Sequence, residues 1–259
     1  MAEAAQRSVT IVTGSSRGIG RAIAHALAAA GHRLVLTARD GTALLDVAAE
    51  LEARGAEVTT VPVDLRLPGA VDQVLATAEQ HFGPAEVIVS NAGTAPADKI
   101  ENTTPETLRE TFDLHVGVPF AFARAAAAQM KKRGRGCLVH LASTAGLRGY
   151  PFTSAYTAAK HGMVGLARAL HAELTPKNVQ VYAACPGFVD TAITRRAAAA
   201  VAAMGKTTAE EAFQRMAAQN RIGRMHDPHE VAAAVATLLR DRPQGCVYDL
   251  DRDPPAFVD

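Results

Sequence analysis

Cysteine is scarce: three in 259 residues, at Cys137, Cys185 and Cys246, with no Cys-x-x-Cys pair. So odd and sparse a set excludes a disulfide framework and offers no zinc-ligand spacing. It reads as reduced, buried thiols in a cytoplasmic protein. An excess of either charge is also missing. Lys plus Arg is 27 and Asp plus Glu is 26, a formal net charge of +1. That balance argues against a nucleic-acid partner and against a polybasic membrane-surface protein. No apolar run reaches the roughly 18 residues of a membrane span. Val116 to Met130 comes nearest, and Pro119 and Arg124 break it. The apolar run that begins at Val9 leaves no room for a leader with its charged, hydrophobic and cleavage regions. A soluble, cytoplasmic chain without membrane contact is the expectation. No repeat and no low-complexity linker divides the sequence.

What is present is apolar residue, 48% of the chain. That is enough for a sizeable core and too much for disorder. The length suits one large α/β domain, 1–259, since such domains run to about 250 residues. Short β-branched runs alternate with longer amphipathic ones. Strands are expected at Ser8–Thr13, Arg33–Thr37, Glu57–Val63, Glu86–Val89, Cys137–Leu141, Gln180–Ala184 and, last, Cys246–Leu250. Helices are expected at Gly20–Ala30, Thr42–Arg54, Ala70–His81, Pro105–Met130 (interrupted by Pro119) and Ala155–Leu174. A longer helical insertion follows, then a helix opening at Asp227-Pro-His-Glu230. There Asp227 suits the N-cap, Pro228 the first helical position and Glu230 a capping box. Such alternation predicts an α/β fold, a doubly wound parallel sheet with helices on both faces. Ligands of such sheets bind at the carboxyl ends of the strands.

The first strand runs into Thr13-Gly-Ser-Ser-Arg-Gly-Ile-Gly20 and then a helix. Glycines let backbone approach a pyrophosphate, and the helix N-terminus offers free N–H groups and partial positive charge. The spacing Gly14, Gly18, Gly20 differs from the common GxGxxG. It resembles the TGxxxGxG turn of short-chain dehydrogenases/reductases. That family carries a Tyr-x-x-x-Lys pair with a Ser thirteen residues before the Tyr, matched here by Ser143, Tyr156 and Lys160. Tyr and Lys four apart share a helix face. The resemblance extends over residues 8 to 250 and includes 3-oxoacyl reductase-like members.

The resemblance implies a Rossmann fold and an oxidoreductase that interconverts a ketone and a secondary alcohol, acyl thioester and cyclic substrates included. Tyr156 would exchange the proton, Ser143 would bond the substrate oxygen, and Lys160 would hold the nicotinamide ribose. A free Tyr titrates near 10, so Lys160 and an oxidised nicotinamide are expected to lower its pKa. Gly14, Ser16, Arg17, Gly18, Ile19 and Gly20 would cradle the pyrophosphate. Asp64 and Leu65 stand at the family's adenine position. Asn91-Ala92-Gly93 matches the turn closing against the cofactor, with Ser90 where another Asn is common. Pro186, Gly187, Val189 and Thr191 match the loop that meets the carboxamide. Arg39 follows Ala38, where NAD-selective relatives carry Asp. With Arg17 it suits a 2′-phosphate, so NADP(H) is expected over NAD(H).

Two departures stand out. His115 replaces the family's Asn in the long helix, and Asp249-Leu-Asp-Arg-Asp-Pro-Pro255 replaces an Asp-Gly-Gly turn. Pro119 has no N–H for the carbonyl of residue 115, so that carbonyl could still hold the relay water the Asn normally holds. His115 is therefore included with the catalytic set. The rival reading is a nucleotide-binding sensor or scaffold without turnover; the intact Ser143, Tyr156 and Lys160 argue against it. Leu147, Tyr150, Phe152 and Phe188 are expected around the substrate, beneath a lid at about 192–225. Arg148, Arg195 and Arg196 could meet an anionic group there. Met130-Lys-Lys-Arg133, Arg135 and Lys177 resemble an acyl-carrier patch, but cations stabilising a helix end explain them better. His226 and His229 read as residues of a helix start, not metal ligands. The surplus apolar surface of Ala155–Leu174 suggests a homodimer or homotetramer.

Overall fold

The computed structural model describes residues 7–205 and 207–258. The expected 1–259 span and its lid therefore include residues 1–6, Lys206 and Asp259, which lie outside the described ones. The elements run β1 (Val9–Thr13), α1 (Gly18–Ala29), β2 (Arg33–Ala38), α2 (Gly41–Glu52), β3 (Val58–Pro62), α3 (Ala70–Phe82) and β4 (Val87–Ser90). Then come α4 (Pro105–Phe112), α5 (Val118–Arg133), β5 (Gly136–Leu141), α6 (Ser154–Leu174) and β6 (Val179–Cys185). The chain ends with α7 (Ala192–Ala203), α8 (Ala209–Gln219), α9 (Pro228–Asp241), β7 (Val247–Asp249) and β8 (Ala256–Phe257).

Among the described residues one sheet holds eight strands in the order β3-β2-β1-β4-β5-β6-β7-β8. The first seven are parallel, as helical crossovers require. Both faces are covered, so the central strands are apolar throughout instead of alternating; β1 and β4 are buried at every position. On one face Val74, Phe122, Met130, Met163 and Val164 bring in α3, α5 and α6. On the other Ile23, Leu44, Val47, Val231 and Val235 bring in α1, α2 and α9. Truncating a residue such as Phe122 to Ala would cost about 3–5 kcal/mol. Strand order reverses between β1 and β4, which opens a crevice at their carboxyl ends.

Three expectations need correction. The last strand is not Cys246–Leu250: β7 is followed by β8, antiparallel to it through Tyr248 and Phe257. A two-residue edge strand behind a proline pair carries no periodicity to read. The pattern Pro105–Met130 is not one helix bent at Pro119. It is α4, a π turn over Asp113–Gly117, and α5. Pro119 sits in the first turn of α5, its missing N–H leaves the His115 carbonyl without an α-helical donor, and the break precedes it. Helix α1 starts at Gly18, two residues before the expected Gly20. The start of α9 matches its reading in full: Asp227 caps it, Pro228 opens it and Glu230 closes a capping box.

Candidate active site

The turn between β1 and α1 is built by close backbone approach. Gly14 has φ +66° and its N–H donates to Thr37 O at 2.8 Å. A Cβ on Gly14 would stand 2.8 Å from Ala92 Cα, and one on Gly20 would collide with Gly14 O. Asn91 fastens the turn from the β4 side. Its Nδ2 donates to Thr13 O at 2.9 Å and Gly14 O at 3.1 Å. The N–H groups of Asn91 and Ala92 both donate to Thr13 Oγ1 at 2.9 Å. So the glycine turn and the Asn91-Ala92-Gly93 turn, expected separately, form one floor across the crevice.

That floor fits a dinucleotide. Arg17, the N-cap of α1, is extended and gives no side-chain cap, and the first turn carries no acidic residue. The helix N-terminus is thus left to an anion. Ser16 is buried, Arg17 exposed, and Ile19 packs back onto the core. A Cβ on Gly18 would touch Thr191 Cγ2 at 3.4 Å, which places the Pro186–Thr191 loop opposite the turn. Within that loop Pro186 O accepts the Thr144 N–H, Val189 bridges to His226, and Thr191 caps α7. Arg39 is exposed at the end of β2. Its neighbour Asp40 caps α2 by accepting the Ala43 N–H. Leu65 is buried beside Asp64. The guanidinium and N–H of Arg66 grip Asp64 and hold its carboxyl down at about 2.

The second cluster stands where β5 ends. Ser143 follows that strand and accepts the Ala145 N–H. On α6, Tyr156 and Lys160 turn toward it, with Lys160 Nζ 5.6 Å from the Tyr156 ring centre. Lys160 is buried and donates to Leu141 O at 2.5 Å. Burial pushes Tyr156 up to about 12, against the pull of Ser143, and pushes Lys160 down to about 7. In the protein alone burial is the larger influence on Tyr156 and the Ser143 hydrogen bond opposes it.

His115 lies against the same tyrosine. The rings meet edge to face, 5.5 Å apart at 84°. Its Nε2 bonds Thr94 O at 2.8 Å, and a Cβ on Gly93 would come 2.5 Å from its Cε1. Burial and the Lys160 charge hold its pKa well below the ordinary histidine value. In the π turn the Val118 N–H donates to Asp113 O, one residue beyond its α-helical partner Leu114. Residue 119 has no N–H. The carbonyls of Leu114 and His115 therefore both lose their regular donors.

Arg148 and Arg195 are not free to meet an anion. Arg148 bonds Tyr150 Oη and Gln219 O, and Arg195 bonds both oxygens of Asp190 while lying over the Phe213 ring. Arg196 is exposed. The basic stretch near Lys131 is also engaged: Arg133 donates to Ala85 O, Arg135 pairs with Glu86, and Lys131 with Glu173. His226 was read as a residue of the helix start only. It is buried and bonds Asp251, a residue with no local signal in the sequence. Asn220 was missed too; it holds both backbone groups of Phe188.

Residues 8–202 match the short chain dehydrogenase family. The chain belongs to that family. Among its relatives is a Streptomyces violaceoruber protein named for a ketoacyl reductase of the granaticin polyketide synthase. It is 34% identical over 241 residues, covering 92% of this chain and 88% of that one. A 3-oxoacyl-[acyl-carrier-protein] reductase of a Synechocystis strain is 32% identical over 234 residues, covering 90% and 89%. A crystal structure of an actinorhodin polyketide ketoreductase variant with NADPH superposes with a TM-score of 0.89 at 30% identity, covering 94% and 95%. This short-chain dehydrogenase is accordingly an oxidoreductase of ketones and secondary alcohols with a nicotinamide cofactor. Among its described residues no helix is long and apolar enough to cross a membrane.

Proposed function

We propose an NADP(H)-dependent reductase of a neutral ketone in which Tyr156, Lys160 and Ser143 carry the proton chemistry. The observation that carries this reading is the Tyr156–Lys160 pair beside Ser143, at the same sheet edge as the uncapped glycine turn. The nicotinamide, when bound, supplies or accepts the hydride. Tyr156, kept neutral by burial, is the acid form that carbonyl reduction needs. Ser143 Oγ steadies the substrate oxygen. Lys160, held near 7, exchanges a proton readily at neutral pH and returns it toward Tyr156. The His115 carbonyl, stripped of its α-helical donor, continues that path as a water acceptor; the imidazole, kept neutral, packs the tyrosine ring.

Cofactor contacts are assigned to Gly14, Ser16, Arg17, Gly18, Ile19 and Gly20 for the pyrophosphate. Asp64 and Leu65 are assigned to adenine, Asn91, Ala92 and Gly93 to the floor, and Pro186, Gly187, Val189 and Thr191 to the carboxamide. Tyr156 and Lys160 face the nicotinamide ribose. Arg39 and Arg17 favour a 2′-phosphate, while Asp40 turns its carboxylate to the Ala43 N–H as the cap of α2.

The substrate is placed between Tyr150, Phe152 and Phe188 and a lid made of α7 and α8. The commitment of Arg148 and Arg195 to internal partners favours a ketone whose body is apolar and uncharged, including a polyketide-like or cyclic one. The working unit proposed is a cytoplasmic homo-oligomer. Leu108 and Phe112 on α4 and Phe120 on α5 are exposed, and a second copy would cover them. Light scattering should give at least a dimer; a monomer at micromolar concentration would refute this.

The test of the reading is NADPH oxidation with a panel of neutral ketones. Turnover by the wild type is expected, with Tyr156→Phe reduced by at least about a hundredfold at unchanged NADPH affinity. Near-normal turnover by Tyr156→Phe would overturn the assignment.

A further inference from the structure

After β7 the chain runs Asp249-Leu-Asp251, and the Asp251 side chain is fully buried. Both carboxylate oxygens accept the Arg221 N–H at 3.1 Å, and Oδ1 accepts from His226 Nε2 at 3.1 Å. Arg221 and His226 belong to the connection from α8 to α9, so the carboxylate fastens the point where the chain leaves α8. The same Oδ1 lies where a Cβ on Gly187 would approach to 2.9 Å.

The third partner comes from a different loop. Arg148, on the loop between β5 and α6, places Nη2 3.6 Å from Asp251 Oδ2. That nitrogen also donates to Gln219 O at 3.0 Å, at the end of α8. Arg148 Nε donates to Tyr150 Oη at 2.9 Å, and the guanidinium lies 5.2 Å from that ring centre. Tyr150 Oη pairs at 2.8 Å with Thr144 Oγ1, next in sequence to Ser143, and the Tyr150 ring meets Phe188 edge to face at 5.2 Å. One carboxylate is thus linked by Arg148 to the wall of the pocket and by Arg221 and His226 to the base of the α7–α8 segment. A buried carboxylate is costly unless fully partnered. This one is partnered by groups from two separate loops, so it holds those loops in one relative position.

We propose that Asp251 is a positioning residue for the substrate. It acts through Arg148 to lock the Tyr150–Phe188 wall to the end of α8, and so fixes the depth at which a ketone meets Tyr156. The proposal rests on the reading of the site as a ketone reductase. A role in folding alone would lower stability without separating substrate from cofactor. The lock should show as a loss confined to the ketone.

The decisive variants are Asp251→Asn and Arg148→Gln. Asparagine keeps one acceptor for Arg221 and His226 but turns an N–H₂ toward the guanidinium. Arg148 is partly exposed, so its glutamine variant keeps the fold. With α-tetralone as the neutral ketone, each should raise KM about tenfold and leave kcat within about threefold and NADPH affinity within about twofold. The double variant should add no further loss, because both remove one link. Hydrogen exchange over Ala192–Gln219 should accelerate in both variants while β1 and β4 stay unchanged. Multiplying effects in the double variant, a parallel loss of NADPH affinity, or an unchanged KM for Arg148→Gln would each overturn the proposal. If the wild type reduces no ketone, the functional reading fails first. Hydrogen exchange then decides the lock alone: unchanged exchange in both variants overturns it, and faster exchange over α7 and α8 sustains it.

Discussion

Two stretches of the sheet's carboxyl edge are closed by different means. At β1 and β4 the closure is backbone. Gly14, Gly20 and Ala92 stand too close for a side chain, and the Thr13 hydroxyl gathers two N–H groups from the neighbouring strand. At β6 and β7 the closure is made of side chains: Asn220 on Phe188, and Asp251 among Arg148, Arg221 and His226. Backbone closure tolerates almost no change, because any added atom meets a main chain that cannot move. Side-chain closure can be retuned residue by residue. The first stretch suits a ligand of fixed shape such as a dinucleotide, and the second suits a substrate that differs between relatives.

The largest effect should therefore come from one methyl group on the backbone side. In Gly20→Ala the new Cβ collides with Gly14 O and lies within contact of Asn91 Nδ2. The turn must open to admit it. Overpacking of this kind costs about 1–3 kcal/mol, and NADPH affinity should fall by about a hundredfold or more. Gly149, on the substrate side, has nothing within 4 Å of its missing Cβ. Gly149→Ala should leave cofactor affinity and melting temperature unchanged. Fluorescence titration with NADPH checks both, and equal losses in the two would break the comparison.

Arg39→Ala comes next. Removing one guanidinium from a phosphate contact should raise the KM for NADPH about tenfold or more and leave that for NADH within about threefold. Equal effects on both cofactors would assign Arg39 to adenine instead.

This asymmetry also decides what could be read from the chain alone. Backbone closure needs glycine at fixed spacing, so Gly14, Gly18 and Gly20 announce themselves, and Tyr156 and Lys160 sit four apart on one helix. The central strands are legible as continuous apolar runs. The side-chain stretch draws on residues 148, 188, 220, 226 and 251, far apart in sequence and each ordinary by itself. Arg148 reads as a cation awaiting an anion because nothing local shows that Asp251 lies beside it. His226 reads as part of a helix start for the same reason. The short strand β8 and the π turn escape because two residues carry no period, and a π turn differs from an α-helix by a single shifted donor.

A smaller loss is expected at the π turn, which lies in the chain between β4 and β5. Pro119→Ala restores an N–H that can recapture the His115 carbonyl and tighten the turn into an α-helix. Turnover should fall severalfold with cofactor affinity unchanged. His115→Asn keeps the carbonyl and removes only the imidazole, so most activity should remain. Rates measured across pH separate the two. A dead His115→Asn beside a normal Pro119→Ala would make the imidazole the working part.

The smallest effect, and the sharpest on the substrate side, concerns Phe152. Its backbone is left-handed, φ +65°, a conformation that costs a bulky residue about 1–2 kcal/mol, yet its ring is 42% exposed and gains little by burial. The ring borders two cavities. One, of about 350 Å³, includes Val201, Met204 and Arg215; the other, of about 220 Å³, includes Asp98, Asn102, Thr107 and Ser154. Among the described residues only Phe152 lines both, and the expectation is that its ring is a partition between them. Phe152→Ala removes the partition and keeps the strain. Phe152→Gly removes both, offset in part by the freer unfolded chain that glycine brings. Both variants should shift preference about twofold to fivefold toward bulkier ketones, because the cavities merge. Only the glycine variant should recover stability, melting about 2–4 °C above the alanine variant, as about 1 kcal/mol implies for a protein of this size. If Phe152→Gly melts no higher than Phe152→Ala, the backbone there is unstrained. If neither variant alters the ratio of kcat/KM for large and small ketones, the ring is no partition and the cavities are independent.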